Sequence, residues 1–529
     1  MAITFDDHNP LLSEHQPSGQ RFAEVAIIVV AVFAFFGDPP PHVNEAHYLG
    51  RLKHFWNPQW CAGDLFFQSN DAQLVFVWLF GWVTRFLSLS AAAWVGRILA
   101  WSFVAWAWQR LSWRLVPVRL AAVLSAAIFV TLNNHCQLAG EWVVGGVEAK
   151  SFAYGFVLLA LRDVIDRRWN RAWLLLGVAV AFHPIVGGWS TVLCSGLWLL
   201  SDRRSVSVLS MWPGLVGGGL LALVGVVPAL LLTWNEPPDS VAEASRIYVF
   251  ERLPHHLAIL SLPTIEVVRR LTLHGLLLFS MGVLGHSLRK SDSMRRIVQF
   301  AWGAALIAAT GFVIELGLWN QPLVAARLLR YYWFRMTDFG APMAVAFLLT
   351  TMLVIAMKQR RAWAAWALAA TLIVVGCDLG HAVVVRIQNP VPPADVKIVD
   401  YDAWVEACEW VNKNTPVDAK FLTPRLNHTF KWLAGRPEVV NRKDIPQDAR
   451  SIVEWQRRIK DIYYLEIGGI EQPLDSIGLL GTEQVRELAQ RYGAQYVLMD
   501  RGQLLQLPQV FKNEEYVVYR IENGRTDGR

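Results

Sequence analysis

Few residues in this 529-residue chain could do chemistry, and most of them interrupt long apolar runs. One group reads Gly37-Asp38-Pro39-Pro40-Pro41-His42-Val43-Asn44-Glu45, with Asp64 farther along. Carboxylates held at a lipid–water boundary are partly desolvated, which suits Asp38 or Glu45 to act as a general base. Hard carboxylate oxygens also suit a divalent cation, Mg or Mn, for which Asp64 and Glu148 are the candidate ligands. These residues have a structural alternative, with Asp38 closing a turn and Glu45 pairing with Arg51 or Lys53.

A second group is Glu141-Trp142-Val143-Val144-Gly145-Gly146-Val147-Glu148-Ala149-Lys150, where ionisable side chains open an apolar run. Ionisable groups at membrane depth are costly and mark functional positions by default. Lys150 is accordingly a candidate for substrate binding, the alternative being a lysine that snorkels to the interface. His183 precedes Pro184 inside an apolar stretch and reads either as a substrate contact or as a hydrogen-bonded residue at a proline-broken helix. Arg252 and His255 lie in a third group, with His256 adjacent, that suits phosphate contact; a metal is the other reading, weakened because neighbouring side chains on a strand point to opposite faces. The fourth, Arg327-Leu328-Leu329-Arg330-Tyr331-Tyr332-Trp333-Phe334-Arg335, interleaves arginines with aromatic rings. Arginine matches phosphate oxygens with a two-pronged fork, so Arg330 and Arg335 are the candidates to hold a phosphate. An interfacial belt on lipid headgroups is the alternative. No H-E-x-x-H, G-x-S-x-G, Rossmann fingerprint or phosphate-binding glycine loop occurs.

The elements that must position these groups follow from composition. Hydrophobic residues make up 54% and charged residues 17% of the chain, well under the roughly 25% charged of an ordinary globular protein. Residues 397–529 carry 19 Lys+Arg and 20 Asp+Glu, so charge is concentrated at the C-terminal end. One part is built for lipid and the other for water, which excludes a cytosolic enzyme, a disordered chain and a small secreted scaffold. The net charge of +6 comes from the apolar part, where basic residues belong in cytoplasmic loops, so nucleic acid need not be invoked. Five scattered cysteines without a C-x-x-C pair argue against a zinc site or a disulfide framework.

Apolar runs predict eleven spans at 22–36, 91–109, 118–134, 151–165, 172–184, 185–200, 209–233, 264–288, 297–317, 339–357 and 362–384. Five arginine-rich clusters, near 110–119, 162–171, 203–204, 289–296 and 358–361, should face the cytoplasm. They do so only if the apolar stretch 73–87 lies flat at the outer interface instead of crossing. The N-terminus, 1–21, is then cytoplasmic. The outer segments are 37–90, 135–150, 234–262 and 318–338, and they contain every candidate above except His183. The fold class expected is mainly α: a transmembrane bundle over 22–388, a Pro-rich linker at 389–396, and an extracytoplasmic α/β domain over 397–529. In that domain the pattern predicts helices at 402–412, 451–464 and 482–492, and strands at 420–423, 438–441, 496–499 and 516–521.

This layout resembles the GT-C superfamily of membrane glycosyltransferases. The resemblance rests on the acidic first loop "VNEAHYL", on the segment 73–109 opening "QLVFVWLFGWVTRF", and on the tail segment "DAWVEACEWVNKNTPVDAKFLTP". Members often carry an Asp-Glu pair soon after the first span; the matching residues here are Asn44-Glu45. The resemblance therefore implies that Glu45 inherits the acidic role and that Asn44 cannot act as a base, leaving Glu45 or Asp38. It implies an integral protein of the bacterial inner membrane that moves a sugar from a polyprenyl-phosphate donor, with inversion. The acceptor would be a glycan, lipid or protein on the outer face. Two other readings remain: a transporter or flippase, and a non-catalytic GT-C-like scaffold.

Overall fold

In chain order the helices of the computed structural model begin with α1 (Ser18–Phe36), α2 (Glu45–Trp56), α3 (Leu65–Gln68), α4 (Leu74–Phe80) and α5 (Leu89–Leu115). They continue with α6 (Ala121–His135), α7 (Ala149–Ile165), α8 (Trp169–Phe182), α9 (Pro184–Leu197), α10 (Val208–Leu231) and α11 (Pro238–Arg246). Next come α12 (Pro254–Leu257), α13 (Thr264–Ser287), α14 (Asp292–Gly317), α15 (Pro322–Leu329), α16 (Arg335–Lys358) and α17 (Ala362–Gln388). The C-terminal part adds α18 (Tyr401–Asn414), α19 (Phe430–Ala434), α20 (Ala449–Tyr463) and α21 (Thr482–Tyr492). Its strands are β1 (Phe421–Leu422), β2 (Tyr464–Ile467), β3 (Ile470–Pro473), β4 (Tyr496–Asp500), β5 (Gln509–Lys512) and β6 (Tyr516–Arg520). The structure describes residues 17–521; residues 1–16 of the expected N-terminal segment and 522–529 of the expected outer domain lie outside them.

Each of the eleven expected spans coincides with one helix. Among the described residues eight helices are long and apolar enough to cross a membrane, α9 together with the π-helical turn Trp198–Asp202 that continues it. The other three, α6, α7 and α8, are shorter, at 15, 17 and 14 residues. The protein is an integral membrane protein with a small C-terminal sheet domain. The expected interfacial stretch 73–87 forms the short helix α4 followed by a 3-10 turn over Gly81–Arg85.

The chain folds as two compact units. Of the described residues, the first comprises 17–37, 97–229 and 248–389. Its centre is α16, which packs on α14, α6 and α13 and is buried along most of its length. α7 and α8 pair closely, and α8 leads into α9 through His183. Glycines bring α10 against α8: a Cβ on Gly218 would collide with the Trp173 carbonyl, and one on Gly214 with the backbone of Asn170.

The second unit comprises 38–96, 230–247 and, of the described residues, 390–521. It has a four-stranded sheet in the order β1-β4-β6-β5, parallel between β1 and β4 and otherwise antiparallel. Its core joins Trp404, Phe421, Phe430, Leu498 and Val518. The predicted helices and the strands β4 and β6 appear as expected. The segment 438–441 contributes only an isolated bridge from Glu438 to Phe421. The hairpin β2–β3 was not anticipated, although Gly468-Gly469 signals it: both have positive φ, +62° and +80°, as tight hairpin turns require. Helix α2 packs on α19, and α11 packs on α20, so the segment after α1 belongs to the same unit as the C-terminal domain.

Candidate functional site

The richest polar site of the first unit is a buried network built where the loop 135–150 meets the starts of α7, α9 and α16. Asp338, on the first turn of α16, organises the loop: its carboxylate accepts from the backbone N–H groups of Leu138, Ala139 and Glu141 at 2.6, 2.8 and 3.1 Å. Asn133 donates to the carbonyls of both Glu141 and Asp338, at 3.0 and 2.9 Å. The Trp101 indole closes the loop onto Gly145 O at 2.8 Å. The loop is thereby fixed by buried hydrogen bonds, the arrangement that buried polar backbone demands.

Fixed in this way, Glu141 becomes the hub. Its carboxylate lies 3.1 Å from Arg335 Nε and 3.6 Å from Lys150 Nζ, and accepts from Tyr154 Oη at 3.2 Å. Lys150 also reaches Glu148 at 3.3 Å, and Trp142 Nε1 donates to Glu148 at 3.3 Å. The Arg335 guanidinium stacks over the Tyr332 ring at 4.0 Å. Two cations and two carboxylates, each less than a tenth exposed, thus balance one another.

His183 completes the network. It caps α9, its Nδ1 accepting from Val186 N at 3.3 Å, with Pro184 at the first helical position. Its Nε2 lies 3.3 Å from Arg335 Nη1, a contact whose donor is set by the imidazole tautomer. A guanidinium and an ammonium gathered beside this imidazole are the groups that suit phosphate oxygens.

Of the residues singled out by sequence, Lys150, His183, Arg335 and Glu148 are brought into one network. Glu141, Tyr154 and Asp338 were missed as site residues. The two acidic ones had a signal in the sequence, as carboxylates at the edges of apolar runs. Arg252 ends a π-helical turn over Ile247–Arg252. The His255 ring lies 4.1 Å from that of His256, whose Nδ1 bonds to Ala139 O. Burial first, and then the neighbouring His255, holds His256 well below the usual histidine range. Arg330 has its guanidinium 6.0 Å from the Tyr331 ring.

The remaining candidates lie in the second unit. Glu45 opens α2, is fully buried, and accepts from His42 N at 2.7 Å. Asp38 directly follows Gly37, the C-cap of α1, and is partly exposed. Arg51 reaches Asp71 at 3.3 Å, and Lys53 lies over the Trp60 ring at 4.8 Å. Asp64 caps α3, accepting from Phe66 N and Phe67 N at 3.0 and 3.2 Å, and accepts from Glu438 N at 3.3 Å. Lys431 Nζ lies within a cage of carboxylates, 3.2 Å from Asp64, 3.3 Å from Glu438 and 2.7 Å from Asp444. The rings of Phe66 and Phe67 flank it. Asp444 in turn bonds to His47 at 3.0 Å.

The donor sets do not fit the divalent cation that sequence reasoning assigned to Asp64 and Glu148. An ammonium holds the point on which Asp64, Glu438 and Asp444 converge, and Glu148 is held by Lys150 and Trp142. Among the described residues no three His, Cys, Asp or Glu side chains form a group that could hold a metal ion.

Charge in the cage is strongly perturbed. Burial works against the Lys431 ammonium, yet Asp444, Asp64 and Glu438 hold it well above the usual lysine range. Asp444 is held well below the usual carboxylate range; burial opposes this, but Lys431 and His47 prevail. Burial pushes Glu438 up from 4.5 to about 7 despite Lys431. A carboxyl raised in the folded state stabilises the fold below its unfolded value and loses that contribution as pH rises. Glu438 therefore contributes stability that is present below pH 4.5 and lost as pH rises to about 7. Buried Asp395, also raised to about 7, acts in the same direction. Glu438→Gln is expected to flatten part of that fall, and Glu438→Gln with Asp395→Asn to flatten more of it. Thermal unfolding of the full chain in detergent between pH 4.5 and 7 checks both.

A family model described as a domain of unknown function, DUF6798, matches residues 402–462. No curated protein matches the chain. Among solved structures, ArnT from Cupriavidus metallidurans bound to undecaprenyl phosphate is similar with a TM-score of 0.47 and 14% identity, over 96% of this chain and 99% of that one. The archaeal oligosaccharyltransferase AglB from Archaeoglobus fulgidus, in complex with an inhibitory peptide and a dolichol-phosphate, is similar with a TM-score of 0.46 and 11% identity. That match covers 91% of this chain and 69% of the other.

Proposed function

We propose that the protein is a GT-C-type glycosyltransferase that moves a sugar, with inversion, from a polyprenyl-phosphate donor to an acceptor on the outer face of a bacterial inner membrane. In this reading the N-terminus is cytoplasmic and the C-terminal domain extracytoplasmic. The observation that carries it is the gathering of Arg335, Lys150 and His183 around Glu141 in a buried, charge-balanced network. The resemblance of the layout to GT-C enzymes supplies the reaction.

The acceptor oxygen forms a bond to the anomeric carbon as the bond from that carbon to the phosphate oxygen breaks. The acceptor proton passes to a carboxylate base, Glu45 or Asp38. The departing polyprenyl phosphate gains a negative charge, which Arg335 and Lys150 neutralise beside His183. Cations fixed in a water-poor site stabilise such developing charge without reorganising.

Purified protein in lipid vesicles, given a panel of polyprenyl-phosphate sugars, is expected to release polyprenyl phosphate from at least one. With that donor, Arg335→Lys keeps the charge and loses the fork, and a hydrogen bond to a charged group contributes ~1.5–3 kcal/mol. The donor KM should rise roughly tenfold or more. Release from no donor overturns the reading; an unchanged KM overturns the assignment of Arg335.

A further inference from the structure

A second basic site lies elsewhere in the first unit. At the turn between α7 and α8, Arg167, Arg168 and Arg171 line a cavity of about 240 Å³ together with Asn170, Ser210 and Met211. The walls are rigid. Asn170 ties α8 to α10, donating to Ser210 O at 2.9 Å and accepting from Gly214 N at 2.8 Å. The Trp169 indole donates to Asp202 at 2.9 Å, and the Trp173 indole to Met211 Sδ at 3.4 Å.

Charge at the site is in excess. The stretches 162–171 and 202–204 carry six arginines against three aspartates. Arg171 pairs with Asp163 at 3.3 Å, and Arg167 with Asp202 at 3.5 Å and Asp292 at 3.7 Å, yet both guanidinium side chains remain more than half exposed. Arg168 is exposed beside them. The apolar surface on the same two helices is also open, with Leu174, Leu209, Trp212 and Val216 all exposed. A ligand that fits has a phosphate for the arginines and hydrocarbon for the helix faces.

We propose that this groove binds the headgroup of an anionic phospholipid, with the phosphate against Arg167, Arg168 and Arg171 and the acyl chains along α8 and α10. The site shares no residue with the Glu141 network and stands independently of the sugar-transfer reading. Asn170 and Ser210 add hydrogen-bonding groups for a glycerol or hydroxylated headgroup. A basic side chain near a membrane surface contributes ~1 kcal/mol toward an anionic lipid, which is about fivefold in affinity.

The test uses the full chain, purified and stripped of lipid in a neutral detergent. Phosphatidylglycerol, phosphatidylcholine and inorganic phosphate are added separately, and bound lipid is read by native mass spectrometry alongside thermal unfolding. Phosphatidylglycerol is expected to be retained and to raise the unfolding temperature, with the other two inert. Arg168→Gln should weaken phosphatidylglycerol binding about fivefold without shifting the lipid-free unfolding temperature. The variant Arg167→Gln/Arg168→Gln/Arg171→Gln should abolish it. Equal retention of phosphatidylcholine, an equal effect of inorganic phosphate, or unchanged phosphatidylglycerol binding in Arg168→Gln each overturns the proposal. The single variant keeps the test decisive if the triple one, which breaks three ion pairs, fails to fold.

Discussion

Replacing Lys431 with methionine is expected to destabilise the second unit by about 3–5 kcal/mol, because it strips the cation from a buried carboxylate cage. Asp64, Glu438 and Asp444 are each no more than 4% exposed, and all three converge on the one ammonium. Without it, their charges repel in a poorly solvating pocket, and neutralising them requires proton uptake. The loss falls on the tie between the segment after α1, which supplies Asp64 and His47, and the C-terminal domain, which supplies the rest. Lys431→Met with Asp444→Asn and Glu438→Gln should recover much of the stability, since neutral replacement of a buried ionic group is often tolerated. Thermal unfolding of the full chain in detergent measures both variants. An unchanged transition in Lys431→Met would show that the cage contributes nothing net. A triple variant no better than the single one would show that packing of the lysine stem, not charge, is what matters.

How far the sequence discloses this molecule depends on the range of the interaction. The spans were legible because each is a local apolar run, and all eleven expected ones coincide with helices. The three that fall short of full length are closely bounded, α6 by Leu120 and Cys136, α7 by Glu148 and Asp166, and α8 by Arg168 and His183. Lys150, Arg335 and His183 stood out because an ionisable group is rare in an apolar run. That they meet around Glu141 is a tertiary fact: Arg335 and Glu141 are far apart in sequence, and no spacing rule pairs them. Lys431 was invisible for a related reason. It sits in the five-residue helix α19, inside an ordinarily charged domain, and its partner Asp64 lies 367 residues away. Asp64, read as a metal ligand, is a helix cap whose other oxygen faces that lysine; the sequence shows its type but not what fills the space in front of it.

Glu45→Gln is expected to lower the rate of sugar transfer by roughly 10²–10⁴, the span a positioned acid–base group contributes. The substitution is nearly isosteric, and the glutamine carbonyl can still accept from His42 N, which now bonds to Glu45 at 2.7 Å. The opening of α2 should therefore persist, with the unfolding temperature little changed. What disappears is the capacity to take a proton. Rate and stability separate chemistry from scaffolding here because two neighbouring contacts differ in kind. His47, two residues along α2, ties that helix to Asp444, so His47→Ala should lower stability and weaken transfer only as far as α2 loosens. A catalytic Glu45 gives the opposite pattern, a large fall in kcat with an intact fold and an unchanged donor KM. Asp38→Asn is the paired control: if it, and not Glu45→Gln, removes turnover, the base is Asp38, the carboxylate next to the end of α1. Full turnover in both variants would remove both carboxylates from the mechanism, while leaving the phosphate assignment to Arg335, His183 and Lys150 to stand on its own test.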